Sequence, residues 1–417
     1  MSPTSPPGPT GTTGPTKTTV SFTIALGKAI GDELASAVED QGPYAAPEVE
    51  RVRVSDDRTQ VTVECSAGCD VAALRPQVER YVEDFVKRFR AVAGKVYRTT
   101  ERRQDTLPMS TGVFAELCAR GWAFQLGDGQ VGLAGPAMKL VEALDQRFRH
   151  MAMSQFGAVE NRYPTFIPTD VLRRCGYFGA FPHLVSLVGH FVEDYRALKE
   201  IRDANAESDR VIIPNRESIV QAAACITPAT CYHVYQSLEG KTVKAPGQIF
   251  TATGRCARYE STNMTGLDRL WEFTMREMVL VGAEGWVAEL RQKGMDAFIG
   301  LIEEWDLEAS IETANDPFFA PVYATKTFWQ SQGGLKYELR VTVEPGEGGR
   351  PRTISCGSAN LHEGFFGTTF ALSLPGGEPV FTGCVALGVE RLALAVFTQH
   401  GFDPARWPAP LRDAVYG

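Results

Sequence analysis

Three stretches in the second half of the chain gather cations, an aromatic ring and small residues in a way that suits a nucleoside triphosphate. Such a ligand needs cations against its phosphates, a flat apolar surface against its base, and hydrogen-bond partners at the base edge. Residues 256–282, CARYESTNMTGLDRLWEFTMREMVLVG, have strand-like ends and a turn-rich middle. If the ends pair as a hairpin, Arg258, Arg269, Phe273 and Glu260 supply those contacts. Residues 381–397, FTGCVALGVERLALAVF, read as a Gly-bearing strand entering a helix. Arg391 near the start of that helix is suited to a γ-phosphate, and Gly388 lets a ligand approach the backbone. Residues 354–372, ISCGSANLHEGFFGTTFAL, offer Asn360, His362 and Glu363 to ribose or a metal.

Other chemically suggestive residues carry less. Cys65 and Cys69 lack a second ligand pair at zinc-finger spacing. The Gly-rich run 346–349 has no Lys-Ser/Thr and reads as a hairpin rather than a phosphate loop. His150 and His190 lie in helical apolar patterns and read as packing residues.

The elements that must position these groups can be read from periodicity. Residues 18–26 and the segments near 50–56 and 60–65 alternate as strands, with two helices between and after them. In the second helix Val78, Tyr81, Val82, Phe85, Val86 and Phe89 recur at spacings of three and four, which defines one apolar face. Residues 18–104 are therefore expected to form a small N-terminal α/β domain, ending in a basic run of Lys95, Arg98, Arg102 and Arg103 that could meet an acidic partner but reads first as a solvated helix face. Residues 105–136 are a connector, with a short helix at 114–120 and a turn at 127–129. A long amphipathic helix over 137–156 presents Leu140, Val141, Leu144 and Phe148, and strands are expected to dominate from there to residue 417.

Bulk properties narrow the function. A length of 417 residues favours two domains over one core. Hydrophobic content of 44% and charged content of 22% are ordinary for a globular protein, and no apolar run is long enough for a membrane span. The Pro-, Gly- and Thr-rich residues 1–17 read as a disordered leader rather than a secretion signal. Nine cysteines, an odd count at low density, point to a reducing, cytoplasmic setting. The net charge of -8 argues against a broad nucleic-acid surface.

Taken in order, RYE, TGLDRLWEF and RE resemble motif 2 of the seryl branch of class II aminoacyl-tRNA synthetases, and GVERLALA resembles motif 3. The long helix with YPTFIPTDVL resembles motif 1, in which Pro164 or Pro168 would shape a dimer-interface strand. The resemblance covers residues 137–410 and implies an α+β fold: an antiparallel catalytic sheet flanked by helices, joined to the small N-terminal domain. It also implies roles. Arg258 would contact the α-phosphate, Phe273 would stack on adenine, Glu260 would reach the adenine edge, and Arg391 would bind the γ-phosphate. The acidic magnesium ligand of seryl enzymes is replaced by Thr353 or Ile354, which leaves Glu363 as one candidate for Mg2+.

Within the class, the sequence is most similar to the atypical zinc-dependent seryl enzymes and to amino acid:carrier-protein ligases. That branch implies Zn2+ held by Cys231, Glu277 and Cys384, with an open position for the substrate amine. The two cysteines could otherwise be small buried hydrophobes. The expected activity is ATP-dependent activation of glycine, alanine or serine, followed by transfer to a phosphopantetheinylated carrier protein. A shortened N-terminal domain, the ending TQHGFDPARWP and the acidic charge rank that acceptor ahead of tRNA. Serylation of tRNA is the second reading, and a non-catalytic regulatory homologue the third.

Overall fold

The computed structural model describes residues 19–88, 95–103, 109–220, 223–260, 264, 266–314, 334–345 and 351–416. The leader at 1–17 and the 346–349 hairpin lie outside them. The chain divides into two compact units near residue 91. In the first, β1 (Val20–Ala25), β2 (Val49–Val54) and β3 (Gln60–Cys65) form an antiparallel sheet in the order β1-β3-β2. Helices α1 (Asp32–Gln41) and α2 (Val71–Arg88) belong to the same unit. Alternate strand residues Phe22, Ile24, Val61, Val63 and Cys65 meet Val78, Val82 and Phe85 of α2 in one core, as their spacings require.

The second unit is built on a mixed sheet of eight strands. Its members are β4 (Val96–Thr100), β7 (Val159–Glu160), β11 (Gly247–Ala257), β12 (Glu272–Gly282), β13 (Ala309–Thr313), β14 (Lys336–Glu344), β15 (Arg352–Glu363) and β16 (Phe381–Gly388), in the order β4-β13-β14-β15-β16-β12-β11-β7. Every pairing is antiparallel except β11 with β7. The expected α+β architecture is thus present. One difference concerns β4: the basic stretch that continues the N-terminal pattern in sequence hydrogen-bonds to β13 as an edge strand of the large sheet. Five residues of strand carry no mark of which sheet they join. Smaller pieces complete the unit. The hairpin β5 (Ala123–Gly127) and β6 (Gln130–Leu133) follows α3 (Val113–Ala119), and β8 (Phe166–Pro168), β9 (Leu187–Val188) and β10 (Ala224–Ile226) form a short sheet.

One face of the large sheet is covered by helices α4 (Gly135–Phe156), α6 (Glu284–Glu304) and α7 (Val389–His400), while α5 (Cys231–Ser237) packs with residues of the other face. Met278 and Leu280 of β12 and Val385 and Leu387 of β16 join the helical core with Leu140, Leu144, Phe148 and Phe298. Val279, Val281, Cys384 and Ala386 point the other way, into a second cluster with Val234 and Tyr235. Helix α6 breaks the expectation of strands after residue 156: Val287, Met295, Phe298, Ile299 and Ile302 bury one side of a 21-residue helix. His150 and His190 are both exposed rather than packed, and His190 lies in a loop with Nδ1 2.9 Å from the Phe191 carbonyl oxygen.

Between the α4 layer and the sheet lies a buried ion cluster. Arg276, only 1% exposed, donates to Asp145 at 2.8 and 2.7 Å and lies 3.3 Å from Glu160, which Arg149 also grips at 2.7 and 2.6 Å. Asp145→Ala leaves this guanidinium buried with its better partner gone. We expect a loss of about 3–5 kcal/mol in urea unfolding, most of it recovered in Arg276→Met/Asp145→Leu. The hydrogen bond from Arg149, reinforced by Arg276 against burial, holds the Glu160 carboxyl down at about 2. Its stabilisation is complete above the ordinary carboxylate value of 4.5 and fades as pH falls toward 2. The stability gap between wild type and Glu160→Gln should accordingly shrink between pH 5 and pH 3, within the window set by those two values.

Candidate active site

The functional side chains lie on the sheet face opposite the helices, and strand alternation puts them there. Glu277 is opposite Ala386 in register, and Ala386 is opposite Ser358, which is opposite Glu338. The adjacent row runs Lys336, Asn360, Cys384. Diagonal neighbours on one face are close enough to share a ligand. Cys231, at the start of α5, completes the group. The ligand atoms of Cys231, Glu277 and Cys384 all lie within 4.8 Å of one another, and all three residues are buried. This is the only such cluster found among the described residues.

Its electrostatics suit a cation. Glu277 Oε1 accepts from the Thr230 amide at 3.2 Å, but Oε2 is buried with no N–H or O–H donor among the described residues. Burial first, then the Cys384 sulfur, pushes the Glu277 carboxyl up to about 8. A hydrogen bond with Cys384 and burial push the Cys231 thiol well up, while that same bond favours the Cys384 thiolate. Three acidic groups in a dry pocket cannot all ionise together without a positive charge between them. Two sulfurs and an orphaned carboxylate oxygen therefore fit a metal ion, with a donor set suited to zinc.

Next to this cluster is a cavity of about 200 Å3, lined among others by Arg258, Glu260, Phe273, Gly388 and Arg391. Both arginines are tethered mainly to backbone. Arg258 Nε donates to the Pro228 carbonyl at 2.9 Å, and its guanidinium sits 5.6 Å from the centroid of the Phe273 ring. Arg391 donates to the carbonyls of Asp268 at 2.6 Å and Ser355 at 3.0 Å, and lies 3.6 Å from the Glu260 carboxylate. The hairpin anticipated from residues 256–282 is present, with Cys256 opposite Phe273.

Three expected residues fall elsewhere. Arg269 is half-buried in the 266–270 turn and does not line the cavity. Asn360 points at the metal-ligand cluster, donating to Cys384 Sγ at 3.4 Å. Glu363 is exposed beyond an irregularity in β15 between Leu361 and Glu363, with a left-handed φ of 50°, and also lies outside the cavity. An irregular register shifts the two-residue alternation, so sequence parity misplaces it.

Sequence reasoning missed Lys336, Glu338 and Glu390, which line the cavity. Lys336 Nζ is 2.9 Å from Glu338, and although burial works against the charge, this ammonium holds the Glu338 carboxyl below its usual range. Both residues follow the undescribed stretch 315–333 and belong to no motif, but a KYELR alternation was a legible strand signal. Glu390 is buried and accepts from Thr274 N at 2.9 Å, Thr274 Oγ1 at 2.7 Å and Arg255 at 3.2 Å.

An antiparallel sheet carrying two carbonyl-tethered arginines and a Cys-Glu-Cys cluster on one face defines a class II aminoacyl-tRNA synthetase-like ligase. Comparison with known proteins agrees. The chain is 32% identical over 283 residues to amino acid–acyl-carrier-protein ligase 1 of Bradyrhizobium diazoefficiens, spanning 66% of this chain and 82% of the relative. To the type-2 serine–tRNA ligase of Methanothermobacter thermautotrophicus it is 26% identical over 310 residues, 71% of this chain and 58% of that one. Its fold matches M. kandleri SerRS, solved with A. aeolicus tRNASec, with a TM-score of 0.69 at 21% identity over 95% of this chain and 77% of the other. No protein-family model matches. The chain belongs to the amino acid–acyl-carrier-protein ligase family. No helix among the described residues is long and apolar enough to cross a membrane.

Glu390 ties the helix that bears Arg391 to the strand that bears Phe273. Glu390→Ala strands the Thr274 amide and should cost about 1–3 kcal/mol in chemical denaturation, with Glu390→Gln costing less because it still accepts.

Proposed function

We propose that this enzyme activates glycine, alanine or serine with ATP as the aminoacyl-adenylate and transfers it to the phosphopantetheine thiol of a carrier protein. The observation that carries the reading is adjacency: Ala386 lines the arginine cavity and stands opposite Glu277 of the metal-ligand cluster. An amino acid held by its amine at that cluster has its carboxylate next to the cavity. Greater coverage of the carrier-protein ligase relative, 82% against 58% of the tRNA ligase, favours the carrier as acceptor. So does the net charge of -8.

In this reading Phe273 supplies the stacking surface for adenine, and Glu260 a base-edge acceptor once a phosphate draws Arg391 away from it. Arg258 meets the α-phosphate and Arg391 the γ-phosphate, their tethers fixing them before substrate arrives. An amino-acid carboxylate oxygen attacks the α-phosphorus and pyrophosphate leaves. The carrier thiol then loses its proton, its sulfur attacks the acyl carbon, and AMP departs. Cys231, Glu277 and Cys384 would hold Zn2+, which when bound supplies a Lewis acid with an open position for the substrate amine. Magnesium entering with ATP would be met by Glu338 rather than Glu363. The pocket beside a bound amine leaves little room for side-chain discrimination, since one methylene is worth about 1–3 kcal/mol.

The test is exchange of pyrophosphate into ATP across glycine, alanine and serine, followed by mass spectrometry of holo and apo carrier protein. A gain of one aminoacyl mass on the holo form alone is expected; charging of tRNA in its place would transfer the reading to tRNA ligation. Arg391→Ala should cut exchange by about a hundredfold or more. Atomic emission should find stoichiometric zinc in wild type and none in Glu277→Gln or Cys231→Ser. Light scattering should show the dimer that the motif 1 likeness implies.

A further inference from the structure

Among the described residues, Cys384 has side-chain nitrogens from outside the cluster directed at its sulfur. Asn360 Nδ2 reaches its sulfur at 3.4 Å, and His362 Nε2 lies 4.0 Å from it. The other imidazole nitrogen, Nδ1, lies 3.3 Å from the Tyr235 hydroxyl and 3.5 Å from Thr382 Oγ1. Both hydroxyls can donate, and sulfur in a thiolate can only accept. Against a Cys384 thiolate the tautomer required is the one with Nε2–H aimed at sulfur and Nδ1 accepting from one of the two hydroxyls. The ring is also held edge-on against Phe366, with centroids 4.9 Å apart at 72°, and against Tyr235 at 6.0 Å and 77°. Tyr235 and Thr382 are fully buried, so their hydroxyls have no water to turn to.

We propose that His362, oriented by Tyr235 and Thr382 and seconded by Asn360, is the positioning residue that fixes the Cys384 thiolate for its metal ion. The inference rests on the metal reading above and concerns only how the chain's own residues tune it. A hydrogen bond into a thiolate draws electron density off sulfur and fixes the direction of its lone pairs. A thiolate so held would donate less density to a metal ion bound there, which would favour binding of an amine. Cys231 lacks this support, which makes the two thiolates unequal. Asn360 thereby acts on the metal end of the site rather than on ribose.

The test uses full-length protein with cobalt(II) in place of zinc, because the thiolate-to-cobalt charge-transfer band reports directly on sulfur. His362→Ala should move that band to lower energy and weaken zinc about ten- to a hundredfold in chelator competition, the usual cost of losing an outer-sphere partner. Tyr235→Phe should give a smaller shift of the same sign, and His362→Gln, whose amide can donate, should restore the band. Metal-free His362→Ala should keep the wild-type circular dichroism spectrum with a lowered thermal midpoint, because the buried Tyr235 and Thr382 hydroxyls lose a partner, so bands and affinities are compared well below that midpoint. Identical bands and affinities in wild type and His362→Ala would overturn the proposal. A wild-type chain that takes up no cobalt at all would overturn the metal reading itself, and this inference with it.

Discussion

The structure turns on a carboxylate that the protein cannot satisfy by itself. Glu277 is 1% exposed, accepts from the Thr230 amide through Oε1, and has a carboxylate oxygen within 4.8 Å of two sulfurs. Leaving a buried polar atom without a partner costs a large fraction of a domain's net stability unless something repays it. A hydrophobic residue at this position would make a more stable sheet. That the site is instead closed around three acidic groups, on a strand whose neighbours are Met278 and Val279, is the arrangement a cation site would require.

The central strands separate two incompatible environments within one residue step. Arg276 and Glu277 are consecutive and both nearly inaccessible, yet one serves the helical layer and the other the site. Arg276 finds Asp145 on α4, so its charge is neutralised away from the reaction face. Had the strand slipped by one residue, the guanidinium would face the thiols and Glu277 would face Asp145. The ion cluster under the sheet therefore doubles as a register lock for the metal ligands. A second lock is steric: a Cβ on Gly357 would stand 2.6 Å from Phe298 of α6, which keeps β15 close against the helix that supports it.

Much of this was legible in the sequence because the motifs are local. Arg258, Phe273, Gly388 and Arg391 each sit within a few residues of a turn or a strand-to-helix junction, and the structure brings them to one cavity. The helices over 71–88 and 135–156 announce themselves by a repeat of three and four. What escaped notice was non-local or irregular. Lys336 and Glu338 reach the cavity only through pairing of β14 with β15, which no local pattern encodes. Glu363 was misplaced by an irregularity in the strand, and the basic run read as a solvated helix face supplies β4, an edge strand whose partner is set by tertiary contacts. Helix α6 was overlooked although Val287, Met295, Phe298 and Ile302 carry its period, since Gly285, Gly294 and Gly300 dilute it.

How the two arginines are held explains why the cavity can receive a polyanion without first being dismantled. A guanidinium has five donors, and a carboxylate partner would have to be displaced before a phosphate could bind. Here Arg258 is held by the Pro228 carbonyl and Arg391 by those of Asp268 and Ser355. Neutral carbonyls fix direction without themselves neutralising the positive charge. The Glu260 carboxylate beside Arg391 stands at 3.6 Å, a separation beyond ordinary hydrogen-bond range. Ordering is thus done in advance by the backbone, which leaves both guanidiniums directed before any ligand arrives, the condition for electrostatic preorganisation.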